Sequence, residues 1–240
     1  MNYGTKLRLL WISSHLTVLY SFLSVSSYAI IVSLIWSVVV VVVGGYAGWH
    51  RHFIHRSYET GRIRKFILLW LGAIQGIGKP LTICAIHRWH HAHSDTEEDI
   101  HSPTTLKWWQ ILLGFYKEPK LHRRLISDLI QDKNIKFCQR HYFKVIVTLN
   151  VILFIIDPVL PGLIMGIVNL HAFYSTGIII NWLNHLGGKP NNNILCAILT
   201  LGEGWHKNHH EDSTRYSNQV KWYHLDPTGW TIKYFLKLGD

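Results

Sequence analysis

No Lys, Arg, Asp or Glu occurs from Leu9 through His50, and from Val145 through Gly188 the only charged residue is Asp157. A helix needs ~20 predominantly apolar residues to cross the hydrocarbon core of a membrane, so each stretch is long enough for two spans. Each reads as a helical hairpin with a very short outer turn, near Ser24 to Tyr28 and near Asp157 to Gly162, where Pro158 and Pro161 favour a break. The expected fold is an all-α integral membrane protein with four transmembrane helices in two hairpins, forming one domain over residues 1–240.

With this topology every Lys and Arg falls on one side of the membrane, which the positive-inside rule assigns to the cytoplasm together with both termini. The chain carries 48% hydrophobic and 16% charged residues and a net charge of +10. Lys6 and Arg8 ahead of an apolar run imitate a signal peptide. That run is long and lacks a clear small-residue cleavage site, so a retained first span is expected. A third apolar run, Phe66 to Ile86, is interrupted by Gly72, Gly76, Gly78 and Pro80 and reads as a dipping or interfacial segment. Cys84, Cys138 and Cys196 form no Cys-x-x-Cys pair and no disulfide framework, and are expected as reduced thiols.

Three histidine clusters lie just outside the uncharged runs: His50-Arg-His-Phe-Ile-His55, His87-Arg-Trp-His90-His91 and His206-Lys-Asn-His209-His210. By the expected topology all three are cytoplasmic, as a helical cap carrying a metal site. Residues at i, i+3 and i+4 share one helix face, so His87, His90 and His91 can point at one centre, and His206, His209 and His210 can close on it from the other side. His50 and His55 lie about 140° apart on an ideal helix, so they either straddle two metals or mark a helix end. Imidazole suits iron, zinc, copper and nickel alike. A structural zinc takes about four ligands and often recruits cysteine, whereas eight clustered histidines exceed one coordination shell and imply two ions.

These motifs resemble those of the membrane-bound fatty acyl desaturases, specifically the group with the Δ9, stearoyl-type enzymes. The resemblance runs through nearly the whole chain: His50 to Tyr58, His87 to His91 followed by Ser94 to Asp99 and His101-Ser-Pro103, Gly202-Glu-Gly-Trp-His-Lys-Asn-His-His210, and Asp226-Pro-Thr-Gly-Trp230. It implies one more ligand, His185, within Asn181-Trp-Leu-Asn-His185, with Asn181 acting through a water. The implied cofactor is a pair of iron ions (Fe2+/Fe3+) bound by His50, His55, His87, His90, His91, His185, His206, His209 and His210. The implied reaction is O2-dependent insertion of a cis double bond into a saturated acyl chain.

An almost wholly imidazole shell leaves the metal charge uncompensated, and histidine ligands normally donate their other N–H to a carboxylate or carbonyl. Asp95, Asp99 and Glu203 are the foremost carboxylate partners, with Glu97, Glu98, Glu211 and Asp212 also adjacent to the clusters. An apolar tunnel should hold the chain, with Leu34 and Val38 as its floor if the second span lines it. Acyl-CoA members of the family often carry Arg-Asp where this chain has Ala85-Ile86. Acyl-CoA, acyl-lipid and acyl-carrier protein therefore all stand as substrate forms. No fused electron-transfer domain fits within the chain, so a separate donor such as ferredoxin or cytochrome b5 is expected. The basic segment Lys107 to Lys144, with Arg123, Arg124, Lys133 and Lys136, offers a docking surface for an acidic partner or anionic lipid. No nucleic acid is expected among the partners.

A sister di-iron hydroxylase or ketolase would use similar clusters. A heme protein would place axial histidines across the helix bundle, and a metal transporter would place ligands at mid-membrane, where only His15 and His171 lie. Those two read as packing or tunnel residues, and His52, His93 and His101 as surface residues.

Overall fold

The structure is a computed structural model that describes residues 2–113 and 123–238. Helix α1 (Tyr3–Ser24) is capped by Asn2 and ends at Val25; Ser26 then caps α2 (Ser27–Ile54). Asp132, accepting from the N–H groups of Asn134 and Ile135, starts α5 (Lys133–Ile156), and α6 (Pro161–His185) follows the turn at Asp157. The two short turns fall where the sequence places them.

Three of these helices, α2, α5 and α6, are long and apolar enough to cross a membrane. Helix α1, with Lys6 and Arg8 in its first turns, falls outside that set, although its 22 residues pack along α6. The Ser21 hydroxyl donates to Val159 O at 2.7 Å, and a Cβ on Gly162 would lie 2.2 Å from that hydroxyl, so the two helices meet closely. Residues such as Leu16, Leu23, Ile35, Ile155 and Ile156 face outward, as a lipid-bathed surface requires.

The broken third run is not one long helix. It forms α3 (Arg62–Ile74), a reversal, and α4 (Pro80–His93). Thirteen residues at ~1.5 Å each reach about 20 Å, short of the ~30 Å core. Gly76 (φ 75°) and Gly78 (φ 143°) adopt backbone angles that favour glycine and turn the chain back. Side chains satisfy the backbone of this reversal: Asn169 donates to Gln75 O (2.7 Å), while the N–H groups of Gly78, Lys79 and Leu81 donate to Tyr142 Oη, Tyr3 Oη and Gln139 Oε1. As a result His50 and His87 lie on the same side, their rings 4.8 Å apart.

From Val40 onward α2 winds in wide turns with i→i+5 hydrogen bonds, and α3 packs against this portion. A Cβ on Gly44 would lie 2.4 Å from the Leu71 carbonyl carbon, so glycine sets the distance between the two helices. Buried around this contact are Trp49, Phe53, Leu68, Leu69, Tyr142 and Ile146. The thiols of Cys84, Cys138 and Cys196 are buried and form no disulfide. The chain ends in short helices, α7 (Ile194–Leu199), α8 (His206–Glu211) and α9 (Pro227–Thr231), the last packed on the inner half of α2. Among the described residues there is no strand, only an isolated bridge between Asn192 and Trp205.

Candidate metal centre

The wide winding of α2 settles how His50 and His55 meet. The His55 N–H donates to His50 O at 3.1 Å, so residue i+5 follows one wide turn after residue i and returns to the same side. The two rings lie 4.9 Å apart, at the point where α2 ends. They belong to one group of imidazoles and do not straddle two.

That group contains His50, His55, His87, His91 and His209; a second contains His90, His185, His206 and His210. Within each group one ring nitrogen per residue lies within 4.8 Å of the others. The expectation that each His-x-x-His-His face points at a single centre is corrected by this partition. The i and i+4 residues of α4, His87 and His91, join the first group, while His90 joins the second. Helix α8 does the reverse, sending His206 and His210 to the second group and His209 to the first. Successive residues diverge by about 100° on a helix, so the central His of each triad swings to the group dominated by the facing helix. His91 and His210 stack 4.2 Å apart at the seam between the groups.

Carboxylates set the protonation of the rings. The Nδ1–H of His185 donates to Asp95 Oδ2 (2.8 Å) and that of His90 to Asp99 Oδ2 (2.7 Å), while His50 Nδ1 lies 2.9 Å from Glu203 Oε2 as an ion-pair contact. Each such bond fixes the tautomer and leaves Nε2 as a lone pair pointing inward. Asp95, Asp99 and Glu203 thus stand where the histidine-to-carboxylate pattern needs them. Of the other acids, Glu97 is exposed, Glu98 pairs with His93, Glu211 pairs with Lys207, and Asp212 accepts from Thr214.

Burial pushes the imidazoles below the ordinary histidine range, and their crowding adds to it. His91 falls to about 2. His90 falls to about 4 through burial and His101, with Asp99 partly opposing. His55, His87, His206, His209 and His210 are pushed down by the same causes. Burial would raise the carboxyl groups, but Arg51 and His50 hold Glu203 low, His185 holds Asp95 low, and His101 and His90 hold Asp99 low. Seven of the nine rings are therefore held as neutral donors, with anions behind the site.

This arrangement fits cations. Ring nitrogens crowd together: His87 with His91 at 3.0 Å, His50 with His209 at 3.1 Å and His185 with His206 at 2.9 Å, all through Nε2. The Nε2 atoms of His55 and His90 are buried without a hydrogen-bond partner. Converging lone pairs and orphaned buried nitrogens are stabilised by a positive ion, and imidazole sets of this kind suit first-row transition metals.

An apolar cavity of about 100 Å³ lies beside the first group, lined by His87, His101, Leu7, Ile77, Ile83, Ile86, Ile111, Leu112, Phe173, Gly177 and Asn181 among others. Asn181 therefore faces the cavity. Leu34 and Val38 do not line it; they stand on the exposed flank of α2, at 44% and 38% exposure. Their side chains sit on the outer side of a membrane-spanning helix, whereas the cavity lies between α1, α4 and α6. His101, expected at the surface, is buried beside Asp99 and lines the cavity. His15 bonds with Tyr174 and His171 with Ser37, while His52 bonds with Tyr58 O, and none of the three joins a metal group. Lys107, Arg123, Arg124, Lys133 and Lys136 are exposed, and residues 114–122 of that basic segment fall outside the described residues. Sequence reasoning missed Arg51 and Asp226, which brace Glu203 from behind; both lay inside quoted motifs.

Comparison with known proteins agrees with this architecture. Residues 26–238 match the family described as fatty acid desaturase, and the chain belongs to that family, whose members are oxidoreductases. It is 26% identical over 258 residues to the sn-1 stearoyl-lipid 9-desaturase of Anabaena variabilis, covering 98% of this chain and 94% of that protein. It is 30% identical over 214 residues to the protein of the same name from Synechocystis, covering 83% and 67%. The icosanoyl-CoA 5-desaturase of Limnanthes douglasii is 28% identical over 208 residues, 80% of this chain. The chain spans little more than half the length of two of the relatives it matches, 58% of that one and 56% of a probable chloroplastic lipid desaturase from Arabidopsis thaliana.

Proposed function

We propose that this chain is an O2-dependent fatty acyl desaturase that introduces a cis double bond at the Δ9 position of a saturated, stearoyl-type chain carried on a membrane lipid. The observation that carries the reading is the juxtaposition of two groups of largely neutral, inward-aimed imidazoles with an apolar cavity that His87 itself lines. Ala85-Ile86, apolar where acyl-CoA enzymes often carry Arg-Asp, and the match over 94% of the Anabaena stearoyl-lipid 9-desaturase favour a lipid-borne substrate.

Two iron ions, five imidazoles on one and four on the other, would supply with O2 and two electrons the oxidising power that breaking an unactivated methylene C–H bond demands. No side-chain acid or base reaches such a bond. The chain's own residues bind, orient and exclude. Asp95 and Asp99 hold the Nδ1 protons of His185 and His90 so that their Nε2 lone pairs stay directed inward, and Glu203 stands beside His50 Nδ1. Asn181, on the cavity wall, acts through a water. Ile83, Ile86, Leu112 and Phe173 hold the acyl chain against the centre and keep bulk water away, which is the positioning contribution to catalysis. In the membrane, α1 joins α2, α5 and α6 as a fourth span, with both termini and the histidine cap on the cytoplasmic side. Electrons come from a separate donor, a ferredoxin or cytochrome b5, docked on the exposed basic residues.

The test is the fatty-acid methyl ester profile, with double-bond location by mass spectrometry, of a desaturase-deficient host expressing wild type or His206→Ala. A cis-Δ9 monoene in glycerolipids from wild type alone supports the reading. A hydroxylated product moves the enzyme to the sister di-iron class, and no product from iron-loaded protein supplied with both donors refutes it.

A further inference from the structure

Behind Glu203 lies a buried ion triad. Arg51, Glu203 and Asp226 are each fully buried. The guanidinium of Arg51 makes five hydrogen bonds: Nε and Nη2 donate to Glu203 Oε1 (3.1 and 2.6 Å), Nη1 and Nη2 donate to Asp226 Oδ2 and Oδ1 (2.8 and 3.0 Å), and Nη1 donates to Tyr216 O (2.8 Å). The planar fork is therefore fully used, a geometry that lysine does not reproduce. Glu203 turns its other oxygen, Oε2, to His50 Nδ1.

Asp226 is held just as firmly. It also accepts from Ser217 Oγ, the Asn218 N–H (2.7 Å) and the Gly229 N–H (2.9 Å). Glycines enclose it: a Cβ on Gly202 would lie 2.2 Å from Oδ1 and one on Gly229 2.6 Å from Oδ2. Two carboxylates against one guanidinium leave the triad one negative charge, buried and adjacent to an imidazole of the five-histidine group. Isolating such a charge in the interior is costly, and a cation close by offsets the cost. The carboxylates that pair with the four-histidine group are instead Asp95 and Asp99.

We propose that Asp226, in the C-terminal Asp-Pro-Thr-Gly-Trp turn, is a positioning residue for the ion of the five-histidine group alone. It acts through Arg51 and Glu203 to orient His50 and to place a compensating negative charge behind it. This rests on the reading of the two imidazole groups as metal sites. The C-terminal turn thereby serves one ion of the pair and not the other.

The test is cobalt(II) titration of metal-stripped full-length protein in lipid nanodiscs, followed by the ligand-field absorption of the bound ion, with melting measured in parallel. Wild type should take up two cobalt ions; uptake of none or one overturns the metal reading itself, and this inference with it. Given two, Asp226→Asn should weaken one site about 10–100-fold and shift its absorption, as loss of an outer partner does elsewhere. Asp95→Asn should instead weaken the other site. The two variants combined should then weaken both. Should Asp226→Asn lower only the melting temperature, or weaken both sites equally, its role is structural and the inference falls. If that variant does not fold, Ser217→Ala decides: it removes one hydrogen bond to Asp226, and a two- to fivefold weakening of one site supports the inference while unchanged binding overturns it.

Discussion

The two imidazole groups share α4 and α8, yet they differ in the third helix that supplies them, α2 or α6, and in donor number, burial and bracing. The five-histidine group is mostly half-buried, borders the apolar cavity through His87 and is tied through Glu203 to the C-terminal turn. The four-histidine group is largely buried and is braced by two acids of the loop after α4. One has a donor to spare and an open flank; the other has the minimum set in a closed setting. In the function proposed above, secure retention of the ions and access for substrate would be divided between the groups.

The largest expected effect breaks the four-histidine group. His206→Ala leaves three donors, and metal analysis should find about one ion per chain with no product formed. His55→Ala leaves four donors in the other group, so iron content should stay nearer two per chain while activity falls. Equal loss of metal in the two variants would erase the distinction drawn above. Next in size are the bracing acids: Asp95→Asn and Glu203→Gln should each weaken metal retention about 10–100-fold, each in its own group, as read by competition with a chelator.

Acid should undo both groups. Unfolded imidazoles titrate near ~6.5, whereas folded His90 lies near 4 and His91 near 2, driven down first by burial. Below ~6.5 the unfolded chain therefore takes up protons that the folded chain does not. The contribution to stability is complete above ~6.5 and is lost as the pH falls towards 4 and below. Each unit of separation corresponds to about 1.4 kcal/mol, so the melting temperature of metal-free protein should drop steadily between pH 7 and pH 5. A flat profile would mean the rings are not held neutral.

The smallest effect concerns the cavity. Ile83→Trp narrows it and should shift products to shorter chains with modest loss of turnover. Leu34→Trp, on the exposed flank of α2, should leave the chain-length profile unchanged. A reversed result would place the substrate on the lipid-facing side of α2.

Much of this arrangement was legible in the chain. Uncharged runs announce membrane helices because hydrocarbon tolerates no unpaired charge, and the Gly76/Gly78 interruption marks a reversal because only glycine adopts those angles easily. All nine histidines of the two groups were identifiable, eight from clustering and His185 through the family resemblance. What the sequence did not contain was their partition. Helical periodicity fixes which side chains share a face, but not what face stands opposite, so the crossing of His90 and His209 between groups appeared only where the histidine rings of α4 and α8 meet. The meeting of His50 and His55 needed the wide turns of α2, which an ideal-helix wheel misplaces. Arg51, Glu203 and Asp226 span 175 positions of chain, and no local pattern could pair them. The sequence by itself determined which stretches are apolar enough to span a membrane, the donor chemistry on offer and the positions of the clustered histidines. The tertiary structure decided which imidazoles lie together, which carboxylates stand beside them and where an apolar cavity opens, because those relations depend on contacts between distant segments that only the packed chain brings into reach.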